Sequence, residues 1–287
     1  NCQNCKQGFV IEPDDFVFYE KIQVPPPTRC PQCRYLRRLL DRNEWTMYKR
    51  NCNATNQSII SIYRPDAPFP VYNQDYWKSD AWDPLSYGRD FDFSKPFFEQ
   101  YENLRRVVPH VALVNSNSVN SEYTNQANNN KDCYMFVTSD QNEKCMYGSW
   151  CQKSFMLSDC YMAEKSEYCF ECVDIMKCSN CAWISHCADC VNVYLSSDCR
   201  GCTDCFGCVG LRNKQYYWFN ESIGKEEYEK KLEESRLNRE FIENSREKFI
   251  QLRLSVPVKF YHGTQNQDSS GDYIENTKRA RLAFNCR

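Results

Sequence analysis

Residues 169–195 read CFECVDIMKCSNCAWISHCADCVNVYL, and their pattern recurs every nine residues. Each unit begins with a cysteine and carries a second cysteine three residues later. Apolar residues follow at the fifth and seventh places, as Val173 and Ile175 do in the first unit. Such alternation predicts one β-strand per unit.

A nine-residue unit predicts a flattened β-solenoid with two units, or eighteen residues, in each turn. Residues eighteen apart then stack along the axis, about 4.8 Å from one another. Every gap between consecutive cysteines in 133–208 is a multiple of three, and one column at the eighteen-residue spacing is Cys133, Cys151, Cys169, Cys187 and Cys205. The spacing alone does not decide which places of the unit face inward.

Three interpretations of the cysteine columns stay open. The thiols pack as small apolar side chains, or CxxC pairs of adjacent turns hold zinc, or disulfides join the turns in an oxidising compartment. Under the zinc interpretation the candidate ligands are Cys169, Cys172, Cys187, Cys190, Cys178, Cys181, Cys205 and Cys208.

The amino-terminal cysteines form a separate group. NCQNC places Cys2 and Cys5 three residues apart, and TRCPQCR does the same for Cys30 and Cys33. Two such loops supply the four thiolates of a tetrahedral zinc site, and a shell closed by four protein ligands is structural rather than catalytic. The intervening FVIEPDDFVFYEKIQV alternates and predicts a hairpin, so that the layout is that of a zinc ribbon or treble clef.

A basic segment, RYLRRLLDRNEWTMYKR, begins at Arg34 directly after the second cysteine pair. Its leucines have helical spacing, and its cations lie on the remaining faces. One interpretation is contact with nucleic-acid phosphates; the other is a solvated helix face whose arginines pair with nearby acids. The residues concerned are Arg34, Arg37, Arg38, Arg42, Lys49 and Arg50.

The sequence predicts a mainly β protein with helices, in four parts. These are a zinc ribbon with a basic helix (1–52), an aromatic-rich segment (53–114), the β-solenoid (115–213) and a carboxyl-terminal part (214–287). The rings of the aromatic segment form a compact core, or alternatively a platform for sugars or bases. SKPFFEQYENLRRVV predicts a helix from about Ser94, and KEEYEKKLEESRLNREFIENSREKFIQLRL predicts one helix from Lys225 to about Leu254 that caps the solenoid. GDYIENTKRARLAFNC, at the end, is similar to the earlier repeats and predicts the start of a second repeat block in a longer protein.

Charge and composition exclude several classes of protein. The formal net charge is -2, so any attraction to nucleic acid is local. No apolar run is long enough to cross a bilayer. Three histidines and nine glycines form no recognisable catalytic or phosphate-binding motif, which predicts a protein that is not an enzyme. CxxC pairs are typical of metal sites in the cytoplasm, whereas disulfide-bonded columns would place the chain at the cell surface.

Several strings resemble a cysteine-rich zinc-ribbon family found in genomes of Candidate Phyla Radiation (Patescibacteria) bacteria. They are NCQNC, CPQCRYLRRLLDRNEW, ISIYRPDAPFPVY, DPLSYGRDFDFSKPFFEQ and LRNKQYYWFN. The resemblance covers nearly the whole chain and implies kinship without an activity.

The sequence predicts a zinc-binding scaffold for a protein partner or for another copy of the chain. The alternative is an RNA- or ribosome-associated factor that binds through the basic helix.

Overall fold

The computed structural model describes residues 1–40 and 43–286. The chain forms two compact units, 1–150 and 151–287, and the division falls inside the predicted repeat region. The secondary structure is mainly β, with six helices in the described residues. Among those residues no helix is both long and apolar enough to cross a membrane.

The first unit begins with two helices, α1 (Pro13–Lys21) and α2 (Pro31–Leu39). The predicted hairpin between the cysteine pairs is therefore wrong. Pro13 occupies the first turn of α1, where its missing N–H costs nothing, and Asp14 and Asp15 complement the positive end of the helix dipole. These helix-start signals outweigh the alternation of apolar and polar residues on either side of them, which had predicted strands.

The aromatic segment follows as short elements. They are β1 (Tyr48–Asn51), β2 (Ser58–Ser61), β3 (Val71–Tyr72), α3 (Gln74–Lys78), α4 (Phe97–Arg105) and β4 (His110–Val111). β1 and β2 are antiparallel, and β3 pairs with β4 in parallel. α4 begins directly after Pro96, close to the predicted start.

The aromatic rings divide into two groups. Tyr72 packs edge-on against Tyr76 and Trp82, with ring centroids 5.3 and 5.7 Å away, and all three rings are half-buried. Phe93 and Phe98, in contrast, are 92% and 80% exposed. The expectation of an aromatic core therefore holds for the first group and fails for the second.

The first unit ends in parallel strands. They are β5 (Asn115–Ser116), β6 (Thr124–Asn128), β7 (Tyr134–Asp140) and β8 (Met146–Ser149). Asn115 pairs with Ala127, and Tyr134 pairs with Met146, so neighbouring strands are offset by twelve residues.

The second unit continues with the same offset in two series of parallel strands. The first series is β9 (Phe155–Ser158), β11 (Glu167–Phe170), β13 (Ser179–Ala182), β15 (Val191–Tyr194), β16 (Thr203–Phe206) and β17 (Gln215–Trp218); the second is β10 (Tyr161–Glu164), β12 (Val173–Met176) and β14 (Ser185–Ala188). Cys169 has Leu157 and Cys181 as its register partners, and Ile175 has Cys187. The expected stacking of residues eighteen apart, such as Cys169 on Cys187, is wrong, because the chain returns to register after twelve.

A period of three explains the return. Every third residue has a left-handed backbone, for example Tyr168, Glu171 and Asp174 with φ of 53°, 49° and 54°. Four such triplets make up the twelve residues that separate register partners. The residue after each turn points inward, so Cys169, Cys172 and Ile175 are at most 2% exposed. This arrangement produces the cysteine gaps that are multiples of three.

Two helices pack on the last strands of the repeat, α5 (Lys225–Ser235) and α6 (Arg239–Ser255), after the short strand β18 (Glu221–Ser222). The predicted single helix is interrupted at Arg236, which is left-handed, and Asn238 caps α6 by accepting from the Phe241 N–H. Buried residues of both helices, Tyr228 and Ile242, form a cluster with Phe206, Phe219, Tyr194 and Leu195.

Further parallel strands follow the helices. Three parallel strands, β19 (Gly263–Thr264), β20 (Gly271–Glu275) and β21 (Ala283–Cys286), pair with offsets of eleven and twelve residues. Left-handed residues again recur every third position, as at Tyr273 and Asn276.

Candidate metal centre

The four amino-terminal thiols lie together. The Sγ atoms of Cys2, Cys5, Cys30 and Cys33 are all within 4.8 Å of one another, and those of Cys5 and Cys30 are 3.8 Å apart. Cys2 is buried and Cys5 is exposed, so the group sits at the edge of its module. The sequence prediction of a four-cysteine site is confirmed in this respect.

Two tight loops position the thiols. In the first, the Cys2 N–H donates to the Gln7 carbonyl at 2.8 Å, and the Lys6 N–H donates to the Cys2 carbonyl at 3.1 Å. Lys6 has φ of 63°, which folds the loop back over Cys5. In the second loop Cys30 is the N-cap of α2, and its Sγ accepts from the Cys33 N–H at 3.4 Å.

Further N–H groups point at the sulfurs. The Cys30 N–H donates to Cys2 Sγ at 3.3 Å, and Asn4 Nδ2 donates to Cys33 Sγ at 3.5 Å. The Cys30 N–H is the main reason why the pKa of Cys2 is lowered to about 6. A thiolate at this position is therefore stabilised before any ion binds.

The neighbouring thiols act in the opposite direction on Cys5. The Gln7 N–H lowers the pKa of Cys5, but the Cys2, Cys33 and Cys30 thiols together with burial raise it to about 11. Negative charges so close together repel unless a cation lies between them. Four thiolates in this arrangement suit a soft, tetrahedral ion and leave no ligand position for substrate.

The repeat cysteines do not assemble in this way. In the residues 1–40 and 43–286, only the amino-terminal four form a group of three or more candidate ligands close enough to share an ion. Cys169 and Cys172 do not stack on Cys187 and Cys190, because the register partner of Cys169 is Cys181 and that of Cys187 is Ile175. The remaining candidates, Cys178, Cys181, Cys205 and Cys208, are likewise buried cysteines of the repeat.

The repeat thiols contact backbone carbonyls instead. Cys172 Sγ lies 3.2 Å from the Phe170 carbonyl oxygen and 3.6 Å from that of Cys181. Neighbouring thiols raise the pKa of Cys172 far above its ordinary value, which keeps it protonated. None of the described cysteines forms a disulfide. These contacts favour the interpretation of packed thiols.

The basic residues after the site are placed unequally. Arg37 and Arg38 are exposed on α2, Arg34 is half-buried and Lys49 is exposed on β1, whereas Arg42 lies outside the described residues. Arg50 is 7% exposed and donates to the Arg64 carbonyl and to Asn53 Oδ1, so it is not available to phosphate. The prediction of Arg50 as a nucleic-acid contact is therefore wrong.

A polar cluster in the second unit was not found from the sequence. His186 Nδ1 lies 2.8 Å from Asp174 Oδ2, and Tyr273 Oη donates to the same carboxylate oxygen at 2.8 Å. His262 stacks on His186 with ring centroids 5.1 Å apart and pairs with Asp272. The twelve-residue spacing of Asp174 and His186 is the only sequence signal for it.

The ionisable groups of this cluster stabilise one another through hydrogen bonds. The hydrogen bond with Asp174 raises the pKa of His186. Burial raises the pKa of Asp174, but hydrogen bonds with His186 and Tyr273 leave it below its ordinary value. The cluster therefore anchors β20, through Tyr273, to Asp174 of β12 and His186 of β14.

Comparison with known proteins leaves the interpretation to the geometry. No protein-family model matches the chain, and no curated protein is similar to it.

Proposed function

We propose that this protein is a non-enzymatic scaffold whose amino-terminal module is fixed by a zinc ion at Cys2, Cys5, Cys30 and Cys33. The observation that carries the proposal is the convergence of four thiol sulfurs within 4.8 Å. Four sulfur ligands complete the tetrahedral shell of zinc, so the ion supplies folding energy and no activated water. The resemblance to zinc-ribbon proteins agrees with this choice of metal.

The twelve-residue repeat is the second part of the scaffold, and we interpret it as a β-solenoid. Its outward residues include large apolar side chains at regular places on the strands. Tyr161, Tyr168 and Val173 are 46%, 52% and 43% exposed. Exposed aromatic and aliphatic residues on a rigid frame are typical of surfaces that bind another protein. The partner is a different protein or a second copy of this chain.

The alternative is RNA binding through α2, for which the exposed side chains of Arg37 and Arg38 are the supporting observation. The burial of Arg50 reduces the basic surface that this function needs. Phosphate contacts of this kind weaken steeply as salt rises.

Sedimentation velocity of the purified protein separates the two functions. We expect no co-sedimentation with single-stranded or duplex RNA at either low or physiological salt. The double variant Arg37→Ala/Arg38→Ala should sediment with RNA present as the native chain does. Growth of the sedimentation coefficient with protein concentration would identify a second copy as the partner. RNA binding that falls with salt and disappears in the double variant would replace the scaffold by the RNA-associated function.

A further inference from the structure

Two segments of the first unit share one turn. Residues 1–7 read NCQNCKQ and residues 51–57 read NCNATNQ. In the second segment the Cys52 N–H donates to the Gln57 carbonyl at 2.8 Å, the same distance as from Cys2 to Gln7. The sixth residue of each segment donates to the cysteine carbonyl, at 3.1 and 2.9 Å, and is left-handed, with φ of 63° and 58°.

The correspondence extends to the second half of the metal module. The Asn73 N–H donates to Cys52 Sγ at 3.3 Å, as the Cys30 N–H does to Cys2 Sγ. Asn73 is the N-cap of α3 and accepts from the N–H three residues later, as Cys30 does in α2. Their N-cap backbones also agree, with φ and ψ of -61° and 155° for Asn73 and -62° and 160° for Cys30.

A third contact fixes the alignment. The residue after each cysteine donates to the carbonyl two positions before the N-cap: Gln3 to Thr28 at 2.8 Å, and Asn53 to Val71 at 2.9 Å. Cys52, Thr55, Asn73 and Tyr76 therefore occupy the places of Cys2, Cys5, Cys30 and Cys33. Only the first of the four places keeps its thiol.

In the second copy, hydrogen bonds replace the thiolates and the proposed ion of the first copy. Asn73 Oδ1 accepts from the Tyr76 N–H at 2.7 Å, and Asn53 Oδ1 accepts from the Val71 N–H at 2.8 Å. Arg50 donates to the same Asn53 oxygen at 2.9 Å. Cys52 itself is 2% exposed. The Val71–Asn53 bond and the Asn73–Cys52 bond join the two halves of the copy without a metal, and the other two bonds stabilise each half separately.

We propose that residues 51–78 are a second copy of the metal module that folds without an ion and retains a latent four-ligand site at positions 52, 55, 73 and 76. The inference rests on the proposed metal binding of the first copy for its chemistry and on the matching hydrogen bonds for its geometry. Since the turn, the N-cap backbone and the hydrogen bonds agree between the two copies, thiols at all four places of the second copy would converge as they do in the first.

The test is the triple variant Thr55→Cys/Asn73→Cys/Tyr76→Cys, loaded with zinc or with Co²⁺ and compared with the native chain. We expect a gain of about one zinc per chain and about a doubling of the thiolate-to-cobalt absorption. The matched control is Thr55→Ser/Asn73→Ser/Tyr76→Ser, which should show no gain. A folded cysteine variant without the additional ion would overturn the inference. The native zinc content tests the proposed function, whereas only the increment tests the latent site.

A measurement on the native chain covers the case in which the triple variant does not fold. After the ion is removed with a chelator, hydrogen exchange should accelerate at the Cys2 and Cys30 N–H groups. The Cys52 and Asn73 N–H groups should keep their protection, because no ion holds the second copy. Equal loss of protection in both copies would contradict the proposal.

Discussion

Replacing Cys33 by serine should remove the zinc ion and unfold the amino-terminal module. All residues of α1 and α2 are described, and none of them is buried. Phe16, Phe18 and Leu36 are 43%, 57% and 55% exposed, so apolar burial contributes little to this module. Structural zinc sites supply about 10–16 kcal/mol of apparent binding free energy at neutral pH, so the zinc ion that we propose would be the main source of stability of this module.

Elemental analysis and hydrogen exchange measure the effect. We expect about one zinc per native chain and almost none in Cys33→Ser, with fast exchange in residues 1–40 and unchanged exchange in the repeat. Cys52→Ser is the matched control, because it makes the same chemical change at a thiol that we place outside the metal site. Zinc retained by Cys33→Ser, or lost equally from Cys52→Ser, would contradict the assignment of the ligands.

The four-cysteine site could be predicted because ligand spacing is a local property of the chain. A CxxC loop brings two thiols together whatever surrounds it, so the site of Cys2, Cys5, Cys30 and Cys33 required only that two such loops meet. The connecting segment was not predictable from alternation alone. There, Pro13 and the two acids after it start a helix.

The length of the repeat was harder to predict. Inward positions accept several kinds of small residue, as the buried Cys169, Ala163 and Val193 show. The cysteines therefore mark only some of the inward positions. Clustering of the cysteines therefore suggested nine residues, whereas the hydrogen-bond register is twelve. The turns could not be predicted from residue type either, because the left-handed positions are occupied by Met162 and Trp183 as well as by Asn and Asp. A left-handed backbone is unfavourable for such residues, and here the parallel hydrogen bonds of the repeat offset that cost.

The second copy of the metal module could not be predicted from the sequence for a related reason. Only one of its four ligand places is a cysteine, and the similarity of the two copies lies in their backbone hydrogen bonds. Cys52 is a buried thiol, and its partners could be recognised only in three dimensions.

Substitutions at Cys190 should show how narrow the interior of the repeat is. Cys190 is fully buried, and the residues twelve before and after it are Cys178 and Cys202. Phe136 shows what a large inward residue requires, since its register partner is Gly148. Because Cys190 has no such small neighbour, Cys190→Phe overfills the interior and should destabilise the repeat by about 1–3 kcal/mol or more.

Cys190→Ser is the matched conservative change. Ser166 occupies the same register two turns earlier, where its Oγ donates to the Glu164 carbonyl at 3.0 Å and accepts from the Cys178 N–H at 3.1 Å. A serine at position 190 finds an equivalent carbonyl, that of Ala188, which now lies 3.3 Å from the sulfur. We expect a loss of about 1 kcal/mol or less. The midpoints of chemical denaturation, followed by circular dichroism, measure both variants. Zinc content should not change, because a packed thiol releases no metal; loss of about one zinc from Cys190→Ser would instead place an ion in the repeat.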